Sequence, residues 1–458
     1  MTAPSRPARR SRATTAPRPG GRPTRRTGDI AALVAGLGAG LTVAISLPVV
    51  IPGWGLPGGI ANGLGILTAM LGTYAALLGC LLMARLPWIE REVGQDRLIA
   101  WHRMLGPYAL VLIVGHVILT TLGYGQAVNA SWFAELVQLT FGMPWMLPAM
   151  AATIIMVGLG VISWRRIRSH MRYETWHTAH LYFYLAIVLA FGHQIESGSV
   201  FAGHPIAEGY WIALYLVIGA AILMWRGLVP LARTLRHGVR VARVERVDDQ
   251  TVHVHLRGRA LSRLGAQGGQ WFTWRFGTRA WWWQGHPYSL SAAPTNTTMR
   301  ITVKDLGDQS SALTALRPGT RVLLEGPYGA FRMDRRHTDH VVLIGAGVGI
   351  TPIRALLDEL PTHVRATVIY RVHAEPVPMA DEFRAIADAS GGRVRVLVVA
   401  GTRHQYPLNP RQLRQAAPDI ADADVFVCGP TGFVDSVLES VQRCGVPSAR
   451  IHHELFEF

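Results

Sequence analysis

Long apolar segments alternate with short polar ones along the first half of the chain. Most of these segments reach the roughly 20 residues that a helix needs to cross the hydrocarbon core of a bilayer. The pattern therefore predicts a six-helix transmembrane bundle, with helices at Ile30–Val50, Ile60–Met83, Ile99–Thr121, Trp145–Trp164, Thr178–Ile195 and Tyr210–Leu231.

The charges of the connecting segments give these helices a direction. Segments 51–59, 123–144 and 196–209 contain no Lys or Arg, whereas the alternate segments are rich in arginine. Positively charged loops stay on the cytoplasmic side of a membrane. We therefore expect a multi-pass protein of the plasma membrane, with its N-terminus and its whole second half in the cytoplasm. Residues 1–28 hold eight arginines and no acidic residue, and we expect them to form a disordered basic tail.

Two of the predicted helices each carry a pair of histidines. His102 and His116 are fourteen residues apart, and His180 and His193 are thirteen residues apart. The fourteen-residue spacing is close to four helical turns, so His102 and His116 lie on one helix face. In both pairs the two histidines are about 20 Å apart along the helix axis. An interior hydrogen-bonded role explains a lone histidine equally well, but the matched spacing favours metal ligands. We predict an inner haem iron bound by His102 and His180 and an outer one bound by His116 and His193.

His177 is an alternative ligand for the inner site, because it precedes His180 by about one helical turn. Its separation from His193 is sixteen residues, a poorer match to the partner helix. We expect His177 to lie beside the inner site, and the choice between His177 and His180 stays open.

From about Val239 the pattern changes to short alternating strands, such as Arg240–Val247 and Thr251–Leu256, which predict an antiparallel β-barrel. One strand-like run places an aromatic ring beside a hydroxyl group, and a flavin needs both. An ordinary strand edge could contain the same residue types. The candidate flavin-binding residues are His286, Pro287, Tyr288, Ser289, Leu290 and Ser291.

A second candidate cofactor contact joins a strand to the start of a predicted helix. It combines a cation, a glycine and hydroxyl groups, which suit a pyrophosphate at a helix N-terminus. An ordinary N-cap would use similar residues. The residues concerned are Lys304, Gly307, Ser310 and Ser311.

A third pattern begins near His340. The buried strand Val341–Ile344 is followed by a glycine turn and the helix Ile353–Leu360, an arrangement that can cradle a phosphate. Further strands interleaved with helical stretches indicate an α/β doubly wound nucleotide-binding domain; these strands are Thr367–Tyr370, Val394–Ala400 and Val425–Cys428. The candidate nucleotide-binding residues in the turn are Gly345, Gly347, Gly349, Thr351 and Pro352.

Two further candidates follow strands of this domain. Arg371 comes directly after the second strand, where the 2′-phosphate of NADPH would be read. This position favours NADPH over NADH, although an exposed arginine in an arginine-rich chain is almost as good an explanation, so the choice stays open. Cys428, Gly429 and Pro430 end the last strand at the edge where ligands bind to open sheets, although a buried structural cysteine is the ordinary alternative.

Composition excludes several classes of function. The net charge is +16, but the arginines cluster beside the apolar segments and do not form a face for nucleic acid, so we expect no nucleic-acid partner. The three cysteines are too few and too scattered for a disulfide framework, a zinc site ligated by cysteines or an iron–sulfur cluster.

Taken in order, these motifs resemble the ferric reductase and NADPH oxidase family from about residue 30 to the C-terminus. The histidine pairs match the haem ligands of its transmembrane domain. HPYSLSAAP, GAGVGITP and CGPTG match the flavin, nucleotide and nicotinamide motifs of its ferredoxin–NADP reductase-type module. The final IHHELFEF resembles the C-terminal segment whose last aromatic residue, here Phe458, shields the flavin.

The resemblance implies an NAD(P)H-dependent oxidoreductase with FAD, NADPH or NADH, and two b-type haems. Electrons would pass from cytoplasmic NAD(P)H to an acceptor outside the membrane, either oxygen or a ferric complex. It also implies catalytic roles for Tyr288, Ser289, Cys428 and Phe458. The implied divisions are a tail at 1–28, a transmembrane haem domain at 29–236, an FAD-binding β-barrel at 237–336 and an NAD(P)-binding domain at 337–458.

Two alternatives stay open. The chain could donate electrons to a separate redox partner outside the membrane, with no diffusible acceptor. It could instead be a non-enzymatic membrane transporter fused to a nucleotide-sensing domain. The sequence does not distinguish oxygen from ferric iron as the acceptor.

Overall fold

The structure, a computed structural model, describes residues 25–171, 173–278, 284–305, 313–373, 377–401 and 405–456. Helices fill the first half of the chain. Two small antiparallel sheets and one parallel sheet fill the second half. Most of the predicted basic tail lies outside the described residues, and its last part, from Arg25, already belongs to the first helix.

Six helical segments in the described part of the chain are long and apolar enough to cross a membrane, as predicted. Between the spans, or as parts of them, lie shorter helices and a π-helical turn at Leu223–Leu228. The helices of this half are α1 (Arg25–Gly53), α2 (Gly59–Leu82), α3 (Pro87–Val93), α4 (Gln95–Val128), α5 (Trp132–Gly142), α6 (Met146–Ser163), α7 (Arg165–Arg168), α8 (Tyr173–His180), α9 (Tyr182–Ser197), α10 (Pro205–Ile222) and α11 (Val229–His237).

Several predicted boundaries differ from the structure. The predicted loop at 123–144 contains the end of α4 and the whole of α5, because a segment without Lys or Arg can still be an apolar helix. The predicted helix Thr178–Ile195 begins earlier, at Tyr173, and is interrupted at Leu181 between α8 and α9.

The helical half has apolar residues on its outside as well as in its interior. Leu33, Val111 and Val188 are each more than 60% exposed, whereas Leu77 and Ala186 are buried between helices. A helix that is apolar all round needs an apolar surrounding. The outward side chains therefore fit contact with lipid.

The antiparallel part consists of two three-stranded sheets, ordered β1-β2-β5 and β4-β3-β6. Isolated bridges, Arg240 to Arg321 and Leu290 to Ile301, join their edges. The predicted β-barrel is not confirmed, because the strands form two open three-stranded sheets. The strands are β1 (Arg240–Arg246), β2 (Thr251–Arg257), β3 (Trp271–Phe276), β4 (His286–Ser289), β5 (Thr298–Lys304) and β6 (Val322–Tyr328).

Strand β3 shows why this segment forms a strand. Its side chains alternate between the two faces of the sheet, so Phe272, Trp274 and Phe276 are all fully buried. Each such aromatic side chain stabilises the fold by up to about 3 kcal/mol relative to exposure. The opposite face carries Trp271 and Arg275, which remain available for contacts with other parts of the chain.

The last part of the chain is a five-stranded parallel sheet in the order β11-β10-β7-β8-β9. The fifth strand, β11, forms from the segment that the sequence analysis treated only as a C-terminal motif. The strands are β7 (His340–Ala346), β8 (Arg365–Val372), β9 (Val394–Ala400), β10 (Asp424–Pro430) and β11 (Ile451–Phe456). The helices are α12 (Ile350–Asp358), α13 (Ala380–Ala389), α14 (Pro410–Ala416) and α15 (Thr431–Arg443).

Helices cover both faces of this sheet, as in a doubly wound fold. Val341 and Leu343 pack on the face covered by α12 and α13. Val342 and Ile344 pack on the opposite face, against α14 and α15. The chain places β8 and β9 on one side of β7 and then crosses to β10 on the other side, so the strand order reverses between β7 and β10. Open sheets bind ligands at this reversal point.

Candidate functional site

The inner histidine pair is brought together by α4 and α8. The ring centroids of His102 and His180 lie 5.9 Å apart, and the ring planes are nearly perpendicular, at 80°. Two imidazoles that bind one metal ion from opposite sides, with metal–nitrogen bonds of about 2 Å, have centroids roughly 6 Å apart. The separation therefore fits a shared iron.

The tautomer of His102 also fits a ligand. Its Nδ1 lies 3.1 Å from the carbonyl oxygen of Gly79. A carbonyl only accepts hydrogen bonds, so Nδ1 carries the proton and the neutral ring keeps a lone pair on Nε2. Metal-ligating histidines commonly donate their other ring N–H in this way.

Surrounding side chains hold His180 in place. Its Nδ1 lies 3.4 Å from Ser163 Oγ, which also accepts a hydrogen bond from Trp176 Nε1 at 3.1 Å. The ring of Trp176 lies 5.1 Å from that of His180, and the guanidinium of Arg168 covers Trp176 at 4.1 Å. The alternative ligand His177 packs its ring near Trp176, whereas the ring of His180 lies beside that of His102.

The outer histidines line a common cavity inside the helical bundle. Their neighbours are mostly apolar, with a few hydroxyl groups. His116 Nδ1 lies 2.9 Å from the carbonyl oxygen of Gly65 and 3.0 Å from Thr120 Oγ1. By the same argument Nδ1 is protonated, and Nε2 keeps a lone pair. Next to His193, Gln194 accepts hydrogen bonds from Trp211 and Tyr215 at 2.8 and 3.0 Å, which ties α9 to α10 beside the cavity.

Glycines on α2 allow α4 to approach closely. A Cβ at Gly65 would lie 2.9 Å from the backbone N of Thr120, and a Cβ at Gly72 would lie 3.0 Å from Ile113 Cγ1. The same helix face carries Gly79, whose carbonyl meets His102. Gly65, Gly72 and Gly79 recur every seven residues. This glycine repeat is visible in the sequence. That it forms the surface of α2 on which both histidines of α4 are positioned emerges only from the structure.

Strand β4 presents the candidate flavin residues. Ser289 is buried, and its Oγ has no hydrogen-bond partner among the residues that the structure describes. A buried hydroxyl without a partner is costly, which fits a group that bonds to a bound cofactor. Tyr288 is partly exposed beside it, and its carbonyl accepts a hydrogen bond from Trp274 Nε1 at 3.0 Å. The neighbouring positions differ in exposure: His286, Leu290 and Ser291 are buried, and Pro287 is exposed.

An ionic network connects Ser291 to the nucleotide half. Arg300 donates to the Ser291 carbonyl at 2.7 Å and binds both carboxylate oxygens of Glu382 at 2.8 and 2.9 Å. Glu382, on α13, also accepts from Arg354 and contacts His253, each at 2.8 Å. Burial alone would raise the pKa of Glu382, but these hydrogen bonds and positive charges hold that pKa well below its ordinary value. The network fixes the two halves of the soluble part relative to one another.

Several predicted cofactor residues cannot be placed. Lys304 ends β5 and is partly exposed. Gly307, Ser310 and Ser311 lie outside the described residues, as does Phe458. Their predicted roles stay predictions.

The glycine turn follows β7 at the reversal point of the parallel sheet. Gly347 has a φ of +54°, a conformation that favours glycine. A Cβ at Gly349 would lie 2.7 Å from Gly429 Cα, so the turn packs directly against the end of β10. The turn leads into α12, which holds Thr351 and Pro352; Thr351 Oγ1 donates to the Val348 carbonyl at 2.9 Å.

Arg371 and Cys428 lie at the same edge of the sheet. Arg371 pairs in register with Ala346, immediately before the glycine turn, and its guanidinium lies 5.6 Å from the ring of Phe433. Cys428 is fully buried in the core cluster below α12. Gly345, Cys428 and Pro430 are therefore close to the predicted nucleotide site, with Cys428 packed as a core residue.

Arg85 connects the helical half to the flavin half, a contact that the sequence analysis missed. Its guanidinium lies 4.2 Å from the ring of Tyr328 and 5.1 Å from that of Trp271. It also pairs with Glu90 at 3.3 Å. In β3, Trp271 is the register partner of both Ser289 and Tyr328. Arg85 thus contacts β3, the strand that pairs with β4 and its predicted flavin contact Ser289.

A second charged contact lies beside the first. Glu325 pairs with Arg226 at 2.9 Å and with Arg275 at 3.4 Å, and it accepts a hydrogen bond from Tyr328 Oη at 2.9 Å. Burial alone would raise the pKa of Glu325, but the nearby guanidiniums, foremost that of Arg226, hold the pKa below its ordinary value. The last transmembrane segment is therefore bound to β6 through an ionised carboxylate.

Comparison with known proteins agrees with this arrangement. Residues 68–191 match the family described as the ferric reductase like transmembrane component, and residues 236–332 match an FAD-binding domain family. The resemblance to ferric reductases and NADPH oxidases is confirmed.

Individual relatives each match somewhat more than a third of the chain. A flavohemoprotein of Vibrio cholerae is 32% identical over 180 residues, which are 37% of this chain and 45% of that protein. An NADPH oxidoreductase of Mycobacterium tuberculosis is 31% identical over 186 residues, 38% of this chain and 48% of that protein. The chain thus spans less than half of the length of these relatives. Together with the family matches, they support an NAD(P)H-dependent oxidoreductase that binds FAD.

Among solved structures, the flavohem-like FAD/NAD binding domain of the nitric oxide dioxygenase of Vibrio cholerae is 25% identical. The alignment has a TM-score of 0.40 and covers 48% of this chain and 99% of that domain.

Proposed function

We propose that the chain transfers electrons from cytoplasmic NAD(P)H across the plasma membrane to an acceptor outside, either oxygen or a ferric complex. The observation that carries this proposal is the juxtaposition of His102 and His180 in a helical bundle joined to an FAD-binding module. We assign 29–236 to haem binding, 237–336 to FAD binding and 337–458 to NAD(P) binding, after a basic tail at 1–28.

When bound, FAD would accept hydride from NAD(P)H and release electrons singly, and the two haems would carry those electrons through the membrane. His102 and His180 would hold the inner iron, and His116 and His193 the outer iron. The hydrogen bonds to Gly79 and Gly65 orient the rings of α4 with Nε2 available. The four imidazoles would be the ligands that the protein supplies to the two irons.

The residues of the soluble half would bind the flavin and the nucleotide and hold them in position. The buried Ser289 hydroxyl would donate to the flavin atom that takes up hydride, and the Tyr288 ring would lie against the flavin. The amides of Gly345 to Gly349, at the start of α12, would receive the pyrophosphate of the nucleotide. Arg371, the register partner of Ala346, would read a 2′-phosphate. Phe458 is assigned to shield the flavin until nicotinamide enters.

The loop charges support the direction of transfer. Arginine-rich segments precede α1 and follow α2, α6 and α10, while the alternate segments lack Lys and Arg. This pattern supports a cytoplasmic location for the soluble half. Electrons would therefore leave the membrane on the side of His116 and His193.

The test separates the two ends of the path. NADPH is added to purified protein in detergent, and the reduction of flavin, of haem and of the acceptor is measured separately. Acceptor reduction is measured as superoxide formation in air and as Fe(III) reduction in the absence of oxygen. His116→Ala is expected to retain flavin reduction and to lose acceptor reduction. If His116→Ala reduces the acceptor at the full rate, the proposed path is wrong.

A further inference from the structure

Three potential metal ligands meet at the amino ends of β7, β10 and β11. Asp424 Oδ1 lies 3.2 Å from His337 Nδ1 and 3.0 Å from His452 Nε2. All three donor atoms lie within 4.8 Å of one another. The glycine turn of the nucleotide site is at the opposite, carboxyl end of β7, so this cluster is separate from the predicted redox path.

The surroundings hold the carboxylate of Asp424 in one orientation. Its Oδ2 accepts hydrogen bonds from the backbone N of His337 and from the backbone N and hydroxyl of Thr338, each at 2.8 Å. These bonds occupy Oδ2 and leave Oδ1 directed towards the two imidazoles.

The histidine rings are also fixed. They are nearly parallel, at 10°, with centroids 6.1 Å apart. The ring of His452 packs on Phe426 at 4.4 Å. His337 is the accessible member, since 30% of its side chain is exposed, whereas the Asp424 side chain is fully buried. An ion could therefore enter from the His337 side.

The distances suit a small tetrahedral ion. With bonds of about 2.0–2.1 Å, two ligand atoms of a tetrahedral zinc site are roughly 3.3 Å apart. The two observed separations from Asp424 Oδ1, 3.2 and 3.0 Å, are within a few tenths of an ångström of that value. Two imidazoles and one carboxylate are ligands that suit Zn²⁺, with water completing the site.

We propose that His337, Asp424 and His452 form a Zn²⁺ site at the amino edge of the parallel sheet. The hydrogen bonds within the triad would hold the same side chains in the absence of metal, and binding needs only that both imidazoles carry their proton on the nitrogen away from Asp424 Oδ1. Because His452 belongs to β11, zinc would fasten this terminal strand to β10 and to the segment before β7. Its effect is structural and does not depend on haem or flavin chemistry.

The experiment measures zinc directly. Full-length protein in detergent is treated with a chelator, incubated with ZnCl₂ and separated from free metal by gel filtration, and zinc per chain is determined by mass spectrometry. The double variant His337→Gln/His452→Gln is expected to retain one zinc per chain fewer than the wild type. His363→Gln is the matched control, because this exposed histidine lies in the same domain outside the triad.

FAD content monitors folding of each variant. If the double variant loses FAD, zinc per chain is compared in the single variant His337→Gln instead. The ring of His337 is partly exposed and can be replaced without opening a core cavity. The proposal is overturned if the wild type retains no more zinc than the folded variants, or if His363→Gln loses the same equivalent. Loss of zinc without change in the rate of flavin reduction by NADPH supports it.

Discussion

The imidazole rings of His102 and His180 lie 5.9 Å apart although the residues are far apart in the chain and belong to different helices. Helix α8 ends at His180, and the interruption at Leu181 separates it from α9. The ring of His180 thus lies at a helix end beside α4, next to Ser163 and Trp176.

This contact predicts different results for two neighbouring histidines. His180→Ala should lose one of two haems per chain, because the remaining imidazole of His102 cannot hold the iron from both sides. His177→Ala is the control and should keep both haems. The measurement is haem per FAD in purified protein, from the pyridine haemochrome absorbance. The opposite pattern would assign the inner site to His177.

Close packing of α2 on α4 predicts sensitivity at Gly65. Gly65→Ala would press a methyl group against Thr120, at a cost of about 1–3 kcal/mol for overpacking, and would move the carbonyl that orients His116. We expect a lower thermal midpoint and loss of outer haem. Gly219→Ala, at a helical position with no atom within 4 Å of the added Cβ, should change neither. Equal effects of the two substitutions would contradict this explanation.

The contact of Arg85 with Trp271 and Tyr328 predicts a defect between flavin and haem. Arg85→Ala removes two cation–π contacts, worth about 0.5–2 kcal/mol each, together with the pair to Glu90. NADPH should still reduce the flavin, whereas haem reduction should slow severalfold. Stopped-flow absorbance separates the two steps. Arg85→Lys should give an intermediate rate, since it keeps the charge without the planar group. If haem reduction in Arg85→Ala is as fast as in the wild type, Arg85 has no role in electron transfer from flavin to haem.

The stability of the fold should depend on pH through Glu90. Burial raises the pKa of Glu90 to about 7, against the opposing effect of Arg85. Because the folded state binds the proton more tightly than the unfolded state, this group stabilises the fold most at low pH. That contribution, up to about 3 kcal/mol, is lost as pH rises from about 4.5 through about 7. Glu90→Gln should therefore flatten the fall in thermal midpoint between pH 5 and 8. If the thermal midpoints of the wild type and of Glu90→Gln change with pH in parallel, the raised pKa of Glu90 is contradicted.

The sequence predicted the six spans and the parallel sheet because both follow from local patterns. Long apolar runs and glycine turns after buried strands need no knowledge of distant contacts. Helix α5 was missed because loop charge was used to define the loops, and α5 contains no Lys or Arg. Strand β11 was missed because IHHELF was interpreted only as a family motif.

The contacts between parts of the chain could not be predicted from local patterns. Arg85 has a φ of +63° and meets residues more than 180 positions later in the chain. Likewise, Glu382 looks like an ordinary helical acid in the sequence, but the fold surrounds it with Arg300, Arg354 and His253. Such networks depend on tertiary packing. The pairing of His102 with His180 was predictable only because two helices carry histidine pairs at similar spacings, fourteen and thirteen residues.

The central claim is that four histidines hold two haems in the membrane half. The most direct measurement is the dithionite-reduced minus oxidised spectrum of purified full-length protein, with haem and FAD quantified per chain. We expect a b-type spectrum with two haems and one FAD per chain, falling to one haem in His116→Ala. A membrane half without haem absorbance, or a content of two haems that is unchanged in His116→Ala, would contradict the account.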